Sequence, residues 1–382
     1  MLPLPDYDFL PTGTHDEEAR EHFCRNLAVK LATDIRPHLK KLYDKKVKPR
    51  LAAQHGRDPN FREISKAMRT EANTQIWYRL RTDNQDRMYS VTGDMIGRQA
   101  QTLAANAARK FGTHGSLSLA PDLKMPRHLT EVDIHRKPGG YHLEAFEGDI
   151  STGAQYERTI AVHNMGSQGI NNDDPAHSMA TWVKTTRPNL KPTKILDMGC
   201  TIGNNTLPYK SVFPEAEVHG IDVSGPCLRY AHARACALGA DVHFHQVNAE
   251  ETGFDDESLD LIVSRILLHE TSAKSLPLII QECHRLLKPG GLMLHCDAPQ
   301  FNAITPYQAS LRDWDATCNN EPFMLKVYDM SLQDLYSANG FDPDAYVESF
   351  IPGLYINDQN IDPNATPGFS QSYFVTGAVK AH

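Results

Sequence analysis

The residues best suited to chemistry cluster at two turns. In Ile195-Leu-Asp-Met-Gly-Cys-Thr-Ile-Gly203 an apolar run ends in an acid, Asp197, and two glycines follow four residues apart. Gly199 removes a Cβ where a ligand can approach backbone, and Gly203 permits a tight entry into a helix. A second acid, Asp222, closes the next apolar run in Gly220-Ile-Asp-Val-Ser224, at the spacing where a carboxylate can grip a ribose diol. The pair predicts a nucleotide-type ligand held at the carboxyl ends of two strands. A dinucleotide is disfavoured, because Thr201 and Asn204 replace the second and third glycines of a Gly-x-Gly-x-x-Gly cradle.

Further along, His269-Glu270 offers a general base or a substrate-orienting pair, against the plainer reading of a histidine bonding backbone at a helix start. The loop from His135 to His142 carries Pro138, Gly139 and Gly140. It can fold over a ligand and turn Tyr141 or His142 inward, or it is an ordinary surface turn. His243-Phe-His245 places two imidazoles on one strand face, but no third ligand stands nearby, so no metal is expected. Cys200 reads as a small buried cysteine.

These turns need a scaffold, and from Lys191 onward the pattern supplies one. Apolar runs at Lys194–Met198, Glu217–Val223, Val242–Val247, Leu259–Ser264 and Leu292–Cys296 alternate with helical segments near 203–211, 225–238 and 275–288. That alternation predicts a parallel sheet with helices on both faces. Ala345–Phe350 and Ser372–Val379 look like a closing antiparallel pair. The first 110 residues read as mostly helical. Phe23, Leu27, Leu31 and Ile35 form one apolar stripe in a segment running from His15 to Gln54, which Pro37 and Pro49 should break or kink. Helical stretches over Phe61–Leu80 and Gln85–Phe111 follow, and another covers 154–188. Residues 112–153 are rich in Gly and Pro, with little periodicity. Such a stretch forms a lid or binding loop, or hides short strands. The division expected is a helical cap, substrate or dimerisation region over 1–153 and a ligand-binding domain over 154–382.

Composition sets the outer limits. The chain has 382 residues, 40% hydrophobic and 23% charged, with net charge -8 and pI near 6.1. That is enough apolar material for a packed core and excludes wholesale disorder. The acidic balance argues against gripping phosphate backbones, and the basic run Lys40–Arg50 reads as a solvated helix face. No apolar run of about 18 residues is present, and the start lacks a signal-peptide pattern. Seven scattered cysteines without Cys-x-x-Cys give no disulfide framework. A cytoplasmic globular protein, without membrane or nucleic-acid partner, is expected.

Taken in order, the Asp197 turn, Asp222, Val247-Asn-Ala-Glu250, Phe254–Asp260, Val263–His269 and Arg285-Leu-Leu-Lys-Pro-Gly-Gly-Leu292 resemble the class I, Rossmann-like S-adenosylmethionine-dependent methyltransferases. The resemblance implies a seven-stranded, mostly parallel α/β sheet with an antiparallel closing pair. It implies S-adenosylmethionine as cofactor and methyl transfer to a small-molecule acceptor through oxygen, nitrogen, sulfur or carbon. By the same resemblance Asp197, Gly199 and Gly203 line the methionine half, with Cys200 in the same turn, and Asp222, beside Val223, receives the ribose hydroxyls. Asn248, Ala249 and Glu250 stand by adenine, and Arg265 by the strand end. Asn248 and Thr201 depart from the family's usual acid and glycine. Tyr156 can close over the cofactor's carboxylate, and His269, Tyr141 and His142 are the catalytic candidates. Two rivals remain: a methyltransferase of RNA or protein, and a non-enzymatic cofactor-binding homologue. The N-terminal helices can also form a homodimer arm.

Overall fold

In the computed structural model, residues 4–354 and 372–382 are described. Eight strands form one sheet: β1 (Ser116–Ser118), β2 (Lys194–Met198), β3 (Glu217–Asp222), β4 (His243–Gln246), β5 (Leu259–Arg265), β6 (Leu287–Asp297), β7 (Tyr346–Pro352) and β8 (Ser372–Val379). Their order is β1-β4-β3-β2-β5-β6-β8-β7. Pairing is parallel from β1 to β6, and β8 joins antiparallel to both β6 and β7. The strand beyond the expected seven is β1, in the stretch that lacks periodicity. Three residues are too few to show alternation, and pairing of Ser116 with His243 and Ser118 with His245 fixes it.

The central strands are covered on both faces, which is why β2 and β5 read as continuous apolar runs rather than alternating ones. One face packs Val183, Leu228 and Phe244 against Ile195 and Val263. The other packs Ile279, Leu286 and Tyr336 against Leu196 and Ile262. Strand β6 starts five residues earlier than expected, since the Lys-Pro-Gly-Gly turn is drawn into the ladder across a register shift between Leu259 and Leu261. The chain reverses direction across the sheet at β2, with β3 on one side and β5 on the other. The crevice at their carboxyl ends is the place where such sheets bind ligands.

The N-terminal helix corrects one expectation. It runs unbroken from His15 to His55, and the prolines do not interrupt it. Just before each, at Leu31–Ile35 and Tyr43–Val47, the helix widens to π turns. A proline ring crowds the carbonyl four residues back and leaves it without a donor, and a π turn absorbs that extra carbonyl. Thr14 caps the start in a reciprocal capping box with Glu17. Of the apolar stripe, Leu31 is buried with Leu27 and Ile35 against it, but Phe23 is 52% exposed. The next helices are Phe61–Met68, Ala72–Gly97 and Ala100–Ala108. The break falls at 69–71 rather than near 81–84, because Trp77, Met88, Tyr89, Val91 and Met95 continue one buried stripe.

These helices pack directly on the sheet layer. Phe9, Ile96, Ala154 and Tyr230 share one core. The buried pair Arg158–Glu21, with Arg158 Nε 2.9 Å from Glu21 Oε1, pins the first helix to helix Ser151–His163. In the basic run, Lys40, Lys46, Lys48 and Arg50 are each paired with a carboxylate. Among the described residues no helix is long and apolar enough to cross a membrane.

Candidate active site

The turn after β2 is knotted from behind. Asp197 is fully buried and accepts from Asn205 Nδ2 (2.8 Å) and Thr206 Oγ1 (2.6 Å). Burial pushes its carboxyl up to about 7, against the pull of those two donors. The turn takes left-handed backbone at Gly199 (φ 70), Thr201 (φ 48) and Gly203 (φ 74). A Cβ on Gly203 would lie 2.9 Å from Leu207 Cδ1 and 3.0 Å from Phe244 Cζ, so this glycine serves packing as well as the turn. Cys200 is buried with its thiol toward Gly220, part of the sheet core. Asp197, Cys200 and Gly203 therefore stand behind the wall of the cavity at the strand ends, and Gly199 and Thr201 are on it.

Asp222, at the end of β3, is also on the wall. Its Oδ2 accepts from Thr201 N–H and its Oδ1 from Ser224 N–H, both at 2.9 Å. Burial raises its carboxyl, with those backbone donors opposing. Val223, Asn248, Ala249, Glu250 and Arg265 line the same cavity. Asn248 Oδ1 accepts from Glu250 N–H, and Arg265 donates to Gln168 Oε1. Tyr156 reaches the cavity from helix Ser151–His163, its ring edge-on to Tyr141 at 5.9 Å.

The opposite wall comes from 126–142, a segment without long regular elements. It holds a short helix, Arg127–Thr130, and a 3-10 turn, Ile134–Arg136. Leu129, His135, Tyr141 and His142 face the cavity. Ser224 Oγ donates to Tyr141 O (2.6 Å), and Arg136 pairs with Asp86. His142 is held below its ordinary 6.5 by burial and by Lys137.

His269 lies just behind that lining. Its Nδ1 sits 2.5 Å from Asp297 Oδ1, and Tyr328 OH donates to the same carboxylate at 2.8 Å. Its Nε2 points to Glu270, which is on the wall. His135 joins this group, with Nδ1 on Tyr141 OH and Nε2 toward Glu270 and Glu321. Burial would lower the His135 pKa, but Glu270 and Glu321 outweigh it and hold it up at about 9. Burial lifts Glu321 to about 7, against the pull of His135. Glu270 goes the other way: burial is overcome by the two imidazoles, and its carboxyl is held below the usual range.

Sequence reasoning placed no role on Glu321. It lies in a loop with no motif, some fifty residues past Glu270, and only the fold brings it in. In the 300–345 connection Tyr307 and Trp314 are core residues beside Leu39 and Trp77, and Tyr328 is buried on Asp297. His243 and His245 sit on the sheet with His219, His243 Nδ1 against Ser116 Oγ.

Residues 195–291 match the family described as "Methyltransferase domain". Phosphoethanolamine N-methyltransferase 1 of Arabidopsis thaliana is 34% identical over 116 residues, 29% of this chain and 23% of that protein. The tRNA N(3)-methylcytidine methyltransferase Mettl2 of Drosophila melanogaster is 28% identical over 149 residues, 36% of this chain and 42% of that one. Ubiquinone biosynthesis O-methyltransferase of Pseudomonas syringae pv. tomato is 32% identical over 111 residues, 29% of this chain and 46% of that one. Each match spans less than half of the relative's own length. The matched range 195–291 contains the glycine turn, Asp222 and strands β3 to β5. With the sheet order and the strand-end cavity, residues 195–291 are a domain of the class I, Rossmann-like methyltransferase family, whose cofactor is S-adenosylmethionine.

Proposed function

We propose that the chain transfers a methyl group from S-adenosylmethionine to a small-molecule acceptor. One observation carries this: a single cavity is lined on one side by Gly199, Asp222 and Asn248 and on the other by Leu129, Tyr141 and His142. Cofactor at the strand ends and acceptor under the 126–142 segment would then meet without crossing a wall.

The residues fit the cofactor. Each Asp222 oxygen accepts one backbone N–H and keeps capacity for a ribose hydroxyl. Gly199 lines the cavity with left-handed backbone, and a Cβ there would crowd Leu267 Cδ1, another residue of the lining, at 3.0 Å. Asn248 can pair with the adenine edge, and Tyr156 can cover the carboxylate end. Asp197, Cys200 and Gly203 act from behind by setting the turn.

When bound, the cofactor supplies an already activated sulfonium methyl. The protein's work is to align an acceptor lone pair with the S–CH₃ bond and to exclude water. An acceptor that arrives protonated would have to pass its proton to a side chain at the cavity. Among the catalytic candidates, His142 suits that step, since its lowered pKa keeps the ring neutral. His269, with Nδ1 engaged by Asp297, is a positioning residue.

The test is release of S-adenosylhomocysteine with a panel of small metabolites, beside total RNA and denatured protein. Turnover with small molecules supports the reading. Turnover only with RNA or protein overturns the acceptor class, and cofactor binding with no turnover on any class favours a regulatory homologue.

A further inference from the structure

The group behind the cap wall has a geometry that methyl transfer alone does not require. His135 Nε2 lies 3.1 Å from Glu270 Oε1 and 3.4 Å from Glu321 Oε1. His269 Nε2 lies 3.4 Å from the same Glu270 oxygen and 3.7 Å from Glu321 Oε2. The four side chains come from three separate segments: the 3-10 turn at 134–136, the 3-10 turn at 268–270 and the loop after helix Asp313–Cys318. In both imidazoles Nδ1 is held by another group, His135 by Tyr141 OH and His269 by Asp297, which leaves each Nε2 facing the two carboxylates.

These spacings bracket those of a coordination shell. Nitrogen and oxygen ligands sit about 2.0–2.2 Å from a divalent ion, which puts tetrahedral neighbours roughly 3.3–3.6 Å apart. One ligand atom each from His135, Glu270 and Glu321 lie within 4.8 Å of one another. A second observation points the same way. Glu321, whose side chain is 4% exposed, has its Oε2 aimed into the cluster without a hydrogen-bond partner. Buried carboxylate oxygens are expensive to leave so unless a positive group completes them. The backbone is strained in the same place, with His135 (φ 57) and Arg136 (φ 60) both left-handed.

We propose that His135, His269, Glu270 and Glu321 form a site for a first-row divalent cation, with Asp297 and Tyr141 orienting the two imidazoles. Two imidazoles and two carboxylates suit manganese, iron, cobalt or zinc. Magnesium and calcium take shells of oxygen. A carboxylate behind a ligating histidine is the usual second-layer arrangement. His135 and Glu270 also line the cavity, so an open coordination position faces the acceptor. An acceptor bound there would carry a donor atom for that position, a clause that rests on the methyl-transfer reading, as the cation site does not.

The experiment is calorimetric titration of chelator-treated full chain with Mn²⁺, Zn²⁺, Mg²⁺ and Ca²⁺, with metal content of the purified protein measured by mass spectrometry. The expected result is one equivalent of Mn²⁺ or Zn²⁺ bound, at least tenfold tighter than Mg²⁺ or Ca²⁺. Glu321→Gln should weaken binding at least tenfold, and Asp297→Asn by about 10–100-fold with the fold intact by circular dichroism. If Glu321→Gln does not fold, His135→Gln takes its place, with the same loss expected. No stoichiometric binding in wild type, preference for Mg²⁺ or Ca²⁺, or binding indifferent to these substitutions overturns the proposal and leaves an imidazolium–carboxylate network. Titration of S-adenosylmethionine into the same samples separates the two claims. Cofactor binding without metal binding defeats only the cation site, and metal binding without cofactor binding defeats only the methyl-transfer reading.

Discussion

The two walls of the cavity are built by opposite means. On the strand-end side, the cavity-lining atoms hang from the sheet: Gly199 and Asp222 sit one residue past β2 and at the end of β3, and backbone N–H groups of Thr201 and Ser224 fix the carboxylate. On the cap side, residues 126–142 have only a four-residue helix and a 3-10 turn of their own. They are held by side chains from elsewhere: Ser224 on Tyr141, Asp86 on Arg136, and the helices beneath. A wall made of ladder hydrogen bonds keeps its shape for one invariant ligand. A wall made of loops and side-chain pairs can be reshaped for a particular acceptor without disturbing the other.

The largest effect lies in the helices that pack on the sheet layer. Glu21→Ala leaves the Arg158 guanidinium buried and unpaired, and stability in urea should fall by about 3–5 kcal/mol. Replacing both partners by methionine should recover much of that loss. Next comes His142→Gln, which should lower kcat/KM on a protonated acceptor by about 100-fold or more while cofactor affinity stays within twofold. The wild-type pH–rate profile should hold its rate below pH 6.5 and fall only at more acid pH, since neutral His142 is the active form and its pKa lies below that ordinary value. A fall beginning above 6.5 would remove His142 from the role.

Smaller effects belong to the backbone of the glycine turn. Gly199→Ala adds a Cβ 3.0 Å from Leu267 Cδ1 on left-handed backbone, so cofactor affinity should drop about tenfold by calorimetry, from roughly 1–2 kcal/mol of strain. The smallest is Thr201→Gly, which relieves a β-branched residue at φ 48. It should raise thermal stability by up to about 1 kcal/mol and leave cofactor affinity within threefold.

Legibility in the sequence follows the same divide. Strands β2 to β6 and the closing pair are readable because doubly covered strands give continuous apolar runs, and glycines and acids mark their ends. β1 escapes because three residues carry no period. The helix through Pro37 and Pro49 misleads because a π turn leaves no mark in composition. At the site, Asp222 and Gly199 are visible as punctuation of the strands. Glu321 is not, since its loop joins His135 and Glu270 only through tertiary folding.

The central claim is that the strand-end wall holds the cofactor independently of the cap. Calorimetric titration of S-adenosylmethionine into wild type, Asp222→Ala and His142→Gln tests it in one series. Micromolar binding is predicted for wild type and His142→Gln, with a loss of about 30–150-fold in Asp222→Ala, the worth of charge-assisted hydrogen bonds of about 2–3 kcal/mol. No binding in wild type, or equal losses in both variants, would contradict it.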